Sequence, residues 1–540
     1  MRSQKLGYHL WNVILFLIVQ QVEGQQYLDQ WQKIDVQHYD FSISLSDTSD
    51  VIYSSADIKV VFKEPVKSFS LDLADKDEHG KGMVVKRVSV NGIESRFRHV
   101  NDSLYIYPGN AKAITSATIN IEYSGIPADG LIISENKFGE RTFFSDNWPD
   151  HAHSWLPCID HPNDKATVEF KVSAPDYYQV IASGDMVEEI TLDNQNKLTH
   201  WESEEPLSTK VMAIGVARFA IDTVENNLHV PISTWVYPMD ANKGFTDYMN
   251  VAEPLSFFIT HIAPYPFSKL ANVQSTTVFG GMENAGNIFY QESLVTGNQR
   301  QEGTIVHEIA HQWFGNSVSE GTWYHVWLSE GFSTYLTDLY YEYKYGRDVF
   351  KSRMIRERNL VIRYSKRNNS TVIDTTVTVD MTLLNPNTYE KGGWFLHMLR
   401  KELGDKLFWQ CIVTFYEKYK YSNALTADFQ NIVDSLSGKN MNLFFEQWLS
   451  RPGHPVLNLS WYQKRKNVCV KIEQLQKSFI FDFPLDLEFV SKDGSMKIVT
   501  VHVNKVLETY SFPVESTIEN IVPDPDVWLL HEGKATRKKF

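Results

Sequence analysis

The spacing of hydrophobic and polar residues changes twice along the chain. From Gln26 to about Val224 apolar positions alternate with polar ones in short runs, among them His38 to Leu45, Ile52 to Phe62 and Val84 to Val90, the last stopped by Asn91-Gly92. Period-two alternation ending in such a dipeptide predicts strands and hairpins, so residues 25–224 read as a β-rich domain. Strands continue over Asn226 to Tyr237. A helical period then takes over and predicts helices at Thr246 to Ile262, up to a stop at Gly315-Asn316, and at Val326 to Tyr345, where Leu328, Phe332, Tyr335, Leu336, Leu339 and Tyr340 share a face. Further helices are expected at Asp348 to Ser365, Tyr389 to Glu402, Lys406 to Tyr419, Ala427 to Leu436 and Met441 to Leu449. After Arg451-Pro452-Gly453 alternation returns over Val456 to Trp461, Val468 to Ile472, Asp482 to Val490, Met496 to Val503 and Thr509 to Val514, which predicts a small β-sandwich over 451–540. The expected architecture is multidomain α+β: a β-rich N-terminal domain, an α/β domain over 225–450 and the terminal sandwich.

Chemistry concentrates in the helical part. His307-Glu308-Ile309-Ala310-His311 puts two histidines four apart, so both imidazoles leave one helix face, one turn above the other, and can reach a single tetrahedral cation. Glu308 lies about 100° further round, within reach of water at that cation without being a ligand. A bare His-Glu-x-x-His arises by chance in a chain of this length with a probability on the order of a few per cent. Glu330 lowers that figure, because it follows after the eighteen residues from Gln312 to Ser329 and heads the next helical pattern. Two antiparallel helices would bring it opposite the histidines. Two histidines, one glutamate and an open position are the pattern of a catalytic zinc, one per chain.

Bulk properties narrow the setting. With 540 residues, 43% of them hydrophobic and 13% aromatic, the chain can fill several cores. Arg2 and Lys5, an apolar run from Leu10 to Val19 and Val22-Glu23-Gly24 read as a leader of residues 1–24 for export to a periplasm or the medium; ten apolar residues are about half a bilayer span, so stable membrane insertion is not expected. Loss of that leader takes away two positive charges and one negative, moving the formal charge from -14 to -15, which disfavours nucleic acid as a partner. Three cysteines, Cys158, Cys411 and Cys469, cannot build a disulfide framework. His151, His153 and His161 fit no common ligand spacing and read as solvated loop histidines. The basic run Lys351, Arg353, Arg356, Arg358, Arg363, Lys366 and Arg367 reads as a solvated helix face. Val278-Phe279-Gly280-Gly281 reads as a strand whose paired glycines admit another backbone, followed by the fixed charge of Glu283; spacing leaves an ordinary glycine turn equally open.

Four stretches together resemble the aminopeptidase N family of gluzincin metallopeptidases: GGMEN at 280–284, HEIAHQWFGN at 307–316, WLSEGF at 327–332 and YEKG at 389–392. PCIDHPNDKA at 157–166 resembles a landmark of that family's β first domain, and FFEQWLSRPGHPVL at 444–457 the exit from its thermolysin-like catalytic domain. The resemblance implies that His307, His311 and Glu330 hold Zn2+, that Glu308 is the general base and that Tyr389 donates a hydrogen bond to the tetrahedral oxyanion. It also implies that Glu283 grips the free α-amino group of a peptide substrate while Gly280 and Gly281, with Met282 and Asn284 beside them, lie along its backbone.

The chain departs from the family pattern at two places. Larger members carry a long helical fourth domain over the active site, whereas this chain ends about ninety residues past Arg451, so a more open site is expected, as in compact members including the leukotriene-hydrolysing one. Family members also place a glutamate or glutamine nine residues before the proline of the Pro-Cys landmark to help bind the substrate amine; here that position is Trp148, which leaves Asn147 as the neighbouring candidate. The expected function is a zinc aminopeptidase acting on peptides with free N-termini. Its rivals are an epoxide or lipid hydrolase on the same zinc, and a catalytically silent binding protein of the same fold.

Overall fold

A computed structural model describes residues 32–109, 112–376 and 381–538. The expected leader lies outside the described residues. The chain divides into two compact units, one running up to Ala252 and taking in Pro266–Thr304, the other formed by Glu253–Tyr265 and everything from Ile305.

The first unit is β-rich, as the alternation predicts. Its eight-stranded sheet centres on Ile34–Ser46, which runs parallel to Lys165–Pro175 and antiparallel to Ser49–Val66. Alternate residues of Ile34–Ser46 are buried, among them Tyr39, Phe41 and Ile43, so the period-two pattern is the core face of the strand. A mixed five-stranded sheet follows, with parallel pairs between Ile232–Val236, Leu270–Ser275 and Asn287–Gln291. Its edge strand Ala220–Thr223 pairs with Ile232–Val236, so the boundary expected at 224/225 falls inside one sheet. The single helix expected over Thr246 to Ile262 is two: α1, Ala241–Tyr248, and α2, Ala252–His261, which from Glu253 onward belongs to the second unit. Pro254 has no N–H to donate and fits only a first turn, which forces a fresh start there.

The second unit gathers α3 (Glu302–His311, of which the last seven residues belong here), α4 (Trp327–Tyr345), α5 (Arg347–Ser365), α6 (Gly392–Leu403), α7 (Asp405–Tyr419) and α8 (Thr426–Ser437). Phe332 of α4 sits among Phe314, Trp327, Phe415 and Phe429, an aromatic cluster that seats α4 on its neighbours. Beyond the helices are sheets of four and three strands, joined through the edge-on contact of Phe489 with Phe512; the strands Ile518–Pro523 and Glu532–Arg537 had no sequence signal. No helix of the described residues is long and apolar enough to cross a membrane.

Two sequence expectations are corrected. The basic face of α5 is not simply solvated: Lys351 pairs with Asp526 at 2.6 Å, Lys366 with Glu532 at 3.0 Å, Arg358 approaches Asp524 at 3.5 Å and Arg353 pairs with buried Asp338. Acids 160 or more residues downstream supply most of these partners, which no local pattern could announce. Two of the three loop histidines, His153 and His161, are held in the fold rather than solvated. His153 Nδ1 lies 2.8 Å from buried Asp160; burial opposes its charge, but that hydrogen bond prevails and takes the imidazole up to about 9, whereas burial pushes His161 down to about 4. Among the described residues the three histidines form no metal-binding cluster.

Candidate metal centre and active site

In α3, four residues advance little more than one turn, so His307 and His311 stand one above the other with ring centroids 4.6 Å apart. The helix ends at His311, four residues before the stop expected at Gly315. Bonds spanning five residues carry the chain on, from the N–H of Asn316 to the His311 carbonyl (3.0 Å), of Ser317 to Gln312 (3.2 Å) and of Val318 to Trp313 (3.0 Å). Gly315 takes φ +127° within this turn, and a Cβ there would lie 2.5 Å from Ser329 Oγ and 2.9 Å from His311 Nδ1. Only glycine meets both demands.

The Nε2 atoms of His307 and His311 are 3.0 Å apart, and each lies 3.3 Å from Oε2 of Glu330 in the first turn of α4. Zinc ligands about 2.0–2.2 Å from a tetrahedral ion are themselves spaced about 3.3 Å or slightly more. The triangle therefore has the size of three corners of such a site. Its chemistry fits as well. His311 Nδ1 lies 3.1 Å from the Phe314 carbonyl, which can only accept, so the proton sits on Nδ1 and Nε2 turns a bare lone pair toward the Glu330 carboxylate. Ser329 Oγ, also 3.1 Å from Nδ1, completes the support of the ring. Two such acceptors 3.3 Å apart repel unless a cation lies between them.

Glu308 is buried on α3, with a carboxylate oxygen within 4.8 Å of a ring nitrogen of His311. That is close enough to act on a water held beside the two histidines. Tyr389, half-buried, stands on a π-helical turn, Asn387–Lys391, which replaces the first turn of the helix expected from Tyr389. Its ring lies 5.9 Å from that of His307 and within 16° of parallel to it. The second unit thus brings His307, His311, Glu330, Glu308 and Tyr389 into one neighbourhood.

The remaining candidates belong to the first unit. Gly280 and Gly281 do not end a strand; Gly281–Met282 begins a short one that pairs antiparallel with Asn287–Gln291, and the Gln291 N–H reaches the Gly280 carbonyl at 3.1 Å. Glu283 and Asn284 follow it and are buried, and the Asn284 amide has no partner among the described residues. Asn147 is engaged within its own unit: its Nδ2 donates to the carbonyls of Thr209 and Met212, and its Oδ1 accepts from Trp155. Both amide hydrogens are thus used, and one lone pair of Oδ1 remains.

Sequence reasoning passed over several supports of this site. Ser329 steadies His311, yet a serine before a helical glutamate has no distinctive spacing. Asp146 accepts from the Thr277 hydroxyl at 2.9 Å and the Val278 N–H at 3.2 Å, anchoring the approach to Gly280, and burial pushes its carboxyl up to about 6. Its neighbour Trp148 packs edge-on against Phe279.

Comparison with known proteins identifies the family. Residues 35–211 match the peptidase M1 N-terminal domain and residues 248–448 the peptidase family M1 domain. Among similar proteins are a leucyl aminopeptidase of Saccharolobus solfataricus, 24% identical over 80% of this chain and 56% of its own length, and a glutamyl aminopeptidase of Rattus norvegicus, 27% identical over 63% and 37%. Aminopeptidase M1 of Arabidopsis thaliana is 28% identical over 60% of this chain and 38% of its own. The chain thus spans about half the length of the first of these relatives and little more than a third of the other two. With both M1 domains matched in order along the chain, it belongs to the aminopeptidase N family of M1 peptidases.

Proposed function

We propose that this chain is a zinc-dependent aminopeptidase that removes N-terminal residues from peptides. The observation that carries the reading is the triangle of His307 Nε2, His311 Nε2 and Glu330 Oε2, with sides of 3.0, 3.3 and 3.3 Å and Glu308 next to it on the same helix. When bound, zinc supplies a Lewis acid that polarises a carbonyl and lowers the pKa of water toward 7.

The side chains divide the remaining work. His307, His311 and Glu330 hold the ion, and the Phe314 carbonyl and Ser329 keep His311 in the tautomer that can ligate. Glu308 takes a proton from the attacking water and passes it to the leaving amine, so one carboxylate serves as base and then acid. Tyr389 donates to the oxygen whose charge develops only in the transition state. Glu283 is assigned the substrate's α-ammonium on the family resemblance. A blocked amine would forgo that charge-assisted hydrogen bond, at a cost of roughly 1–3 kcal/mol. On the strength of residues 1–24 we also place the enzyme outside the cytoplasm.

A panel of aminoacyl chromogenic amides tests the reading when each is offered free, N-acetylated and with a chelator. The expected result is hydrolysis of the free amides alone, abolished by the chelator and restored by zinc. Hydrolysis of acetylated and free substrates at equal rates would overturn the exopeptidase assignment, and indifference to the chelator would overturn the metal.

A further inference from the structure

The turn that carries Tyr389 is irregular, and irregular backbone needs something to hold it. Asn387–Lys391 winds as one π-helical turn, closed by the Lys391 N–H on the Pro386 carbonyl at 2.9 Å and by the Gly392 N–H on Asn387. Such turns are rare and are favoured only where surroundings compensate for their poorer bonding. Three contacts do so here. At the start, the Asn387 amide donates to the Ser370 carbonyl (3.0 Å), the Ser370 hydroxyl (3.1 Å) and the Thr371 carbonyl (3.2 Å). Along the side, Gly392 meets Gly331 of α4: a Cβ on Gly331 would lie 2.9 Å from the Gly392 Cα, and one on Gly392 would lie 3.0 Å from the Gly331 Cα. Only a pair of glycines lets the turn touch α4 at the residue after Glu330.

The third contact is the unusual one. Lys391 is 1% exposed, and its Nζ donates to the Arg451 carbonyl at 3.0 Å. No carboxylate pairs with it among the described residues. A buried ammonium without a counter-ion is costly, and a site that needed only filling would hold methionine or leucine at no such cost. Burial drags the amine down to about 7. The same position presses on His454, whose imidazole burial and the Lys391 charge push down to about 4. Arg451 is where the chain leaves the helices for the terminal sheets, so this hydrogen bond ties the tyrosine's turn to a fixed point 60 residues downstream.

We propose that Lys391 is a positioning residue for Tyr389: it tethers the π-turn to the Arg451 backbone and so holds the tyrosine ring parallel to His307. The proposal rests on the reading of Tyr389 as the oxyanion donor. Lys391 touches neither substrate nor metal in this account and acts on the rate only through that tyrosine. Misplacement of a reacting group by about 1 Å costs up to about a hundredfold in rate, so loss of the tether should be measurable without unfolding the site.

A double-mutant cycle on the full chain tests this, with kcat, KM, zinc content and melting temperature measured for the wild type, Tyr389→Phe, Lys391→Met and the double variant. Lys391→Met should lower kcat about tenfold with KM within about twofold, zinc retained and an equal or higher melting temperature. In the Tyr389→Phe background the same substitution should change kcat by less than about twofold. A full second loss in the double variant, a loss of zinc, or a change confined to KM would overturn the tether. Unchanged kcat in Tyr389→Phe alone would instead overturn the oxyanion reading, and is told apart because that enzyme is then fast rather than slow. If Lys391→Met does not accumulate folded, Asn387→Ala loosens the other end of the turn and should show the same non-additivity; additive losses there would contradict the proposal equally.

Discussion

The proposed machinery stands on two supports that hold their side chains by different means. His307, Glu308, His311 and Glu330 ride on α3 and α4, regular helices whose orientation follows from aromatic packing around Phe332. Tyr389 rides on a π-turn whose place is set by the Asn387 amide, a contact between two glycines and the buried amine of Lys391. A ligand on a regular helix is located by its spacing and fixed by many small contacts. A residue on an irregular turn depends on a few polar ones, each of which a single substitution can remove. The first support should tolerate change away from its inner face, and the second should not.

Substitutions can break or sharpen this contrast. His311→Ala should have the largest effect, loss of bound zinc and of detectable hydrolysis, read from metal analysis and activity on the same sample; a zinc-loaded active variant would remove His311 from the ligand set. Glu308→Gln should keep zinc and lose at least about a hundredfold in kcat, since it removes a proton acceptor and leaves the helix intact. Tyr389→Phe should cost about a hundredfold in kcat with little change in KM, the magnitude expected for one oxyanion donor. Ser329→Ala should weaken zinc affinity about tenfold, measured by competition with a chromogenic chelator, because only the orientation of His311 suffers.

The smallest effect is thermal and separates the supports most cleanly. Unfolded lysine keeps its proton to about pH 10.4, whereas buried Lys391 releases it near 7. Between those values the unfolded state binds more protons, so stability rises with pH across the window, and the full penalty of the buried charge is present below about 7. Lys391→Met should therefore raise the melting temperature by about 2–4 °C at pH 6 and by little at pH 10. A gain that is equal at both pH values would show that the charge is not what destabilises the fold.

The same contrast explains how much could be read from the sequence. His307 and His311 declare themselves because helical spacing and metal geometry impose the same four-residue step, and Glu330 because a second amphipathic pattern begins with it. The alternation in Ile34–Ser46 was legible because one face of that strand is buried. Tyr389 was not legible by spacing: a π-turn adds a residue to the helical period, so its neighbours give no consistent face. The partners of α5 escaped for another reason, since Arg358 and Lys351 find Asp524 and Asp526 across more than 160 residues of chain. Asn147 carries a further lesson. Its two N–H groups are committed to backbone carbonyls and its oxygen holds a tryptophan, and only the hydrogen bonds of the fold reveal it.

The central claim is that three side chains from two regular helices hold one catalytic zinc. X-ray absorption at the zinc edge on the purified full-length protein tests it most directly, compared with Glu330→Ala. The account predicts one zinc per chain with two imidazole nitrogens and carboxylate or water oxygens at about 2.0–2.2 Å, and in the variant either loss of the metal or loss of one oxygen from that shell. A protein that binds no zinc, or a ligand shell unchanged by Glu330→Ala, would contradict it.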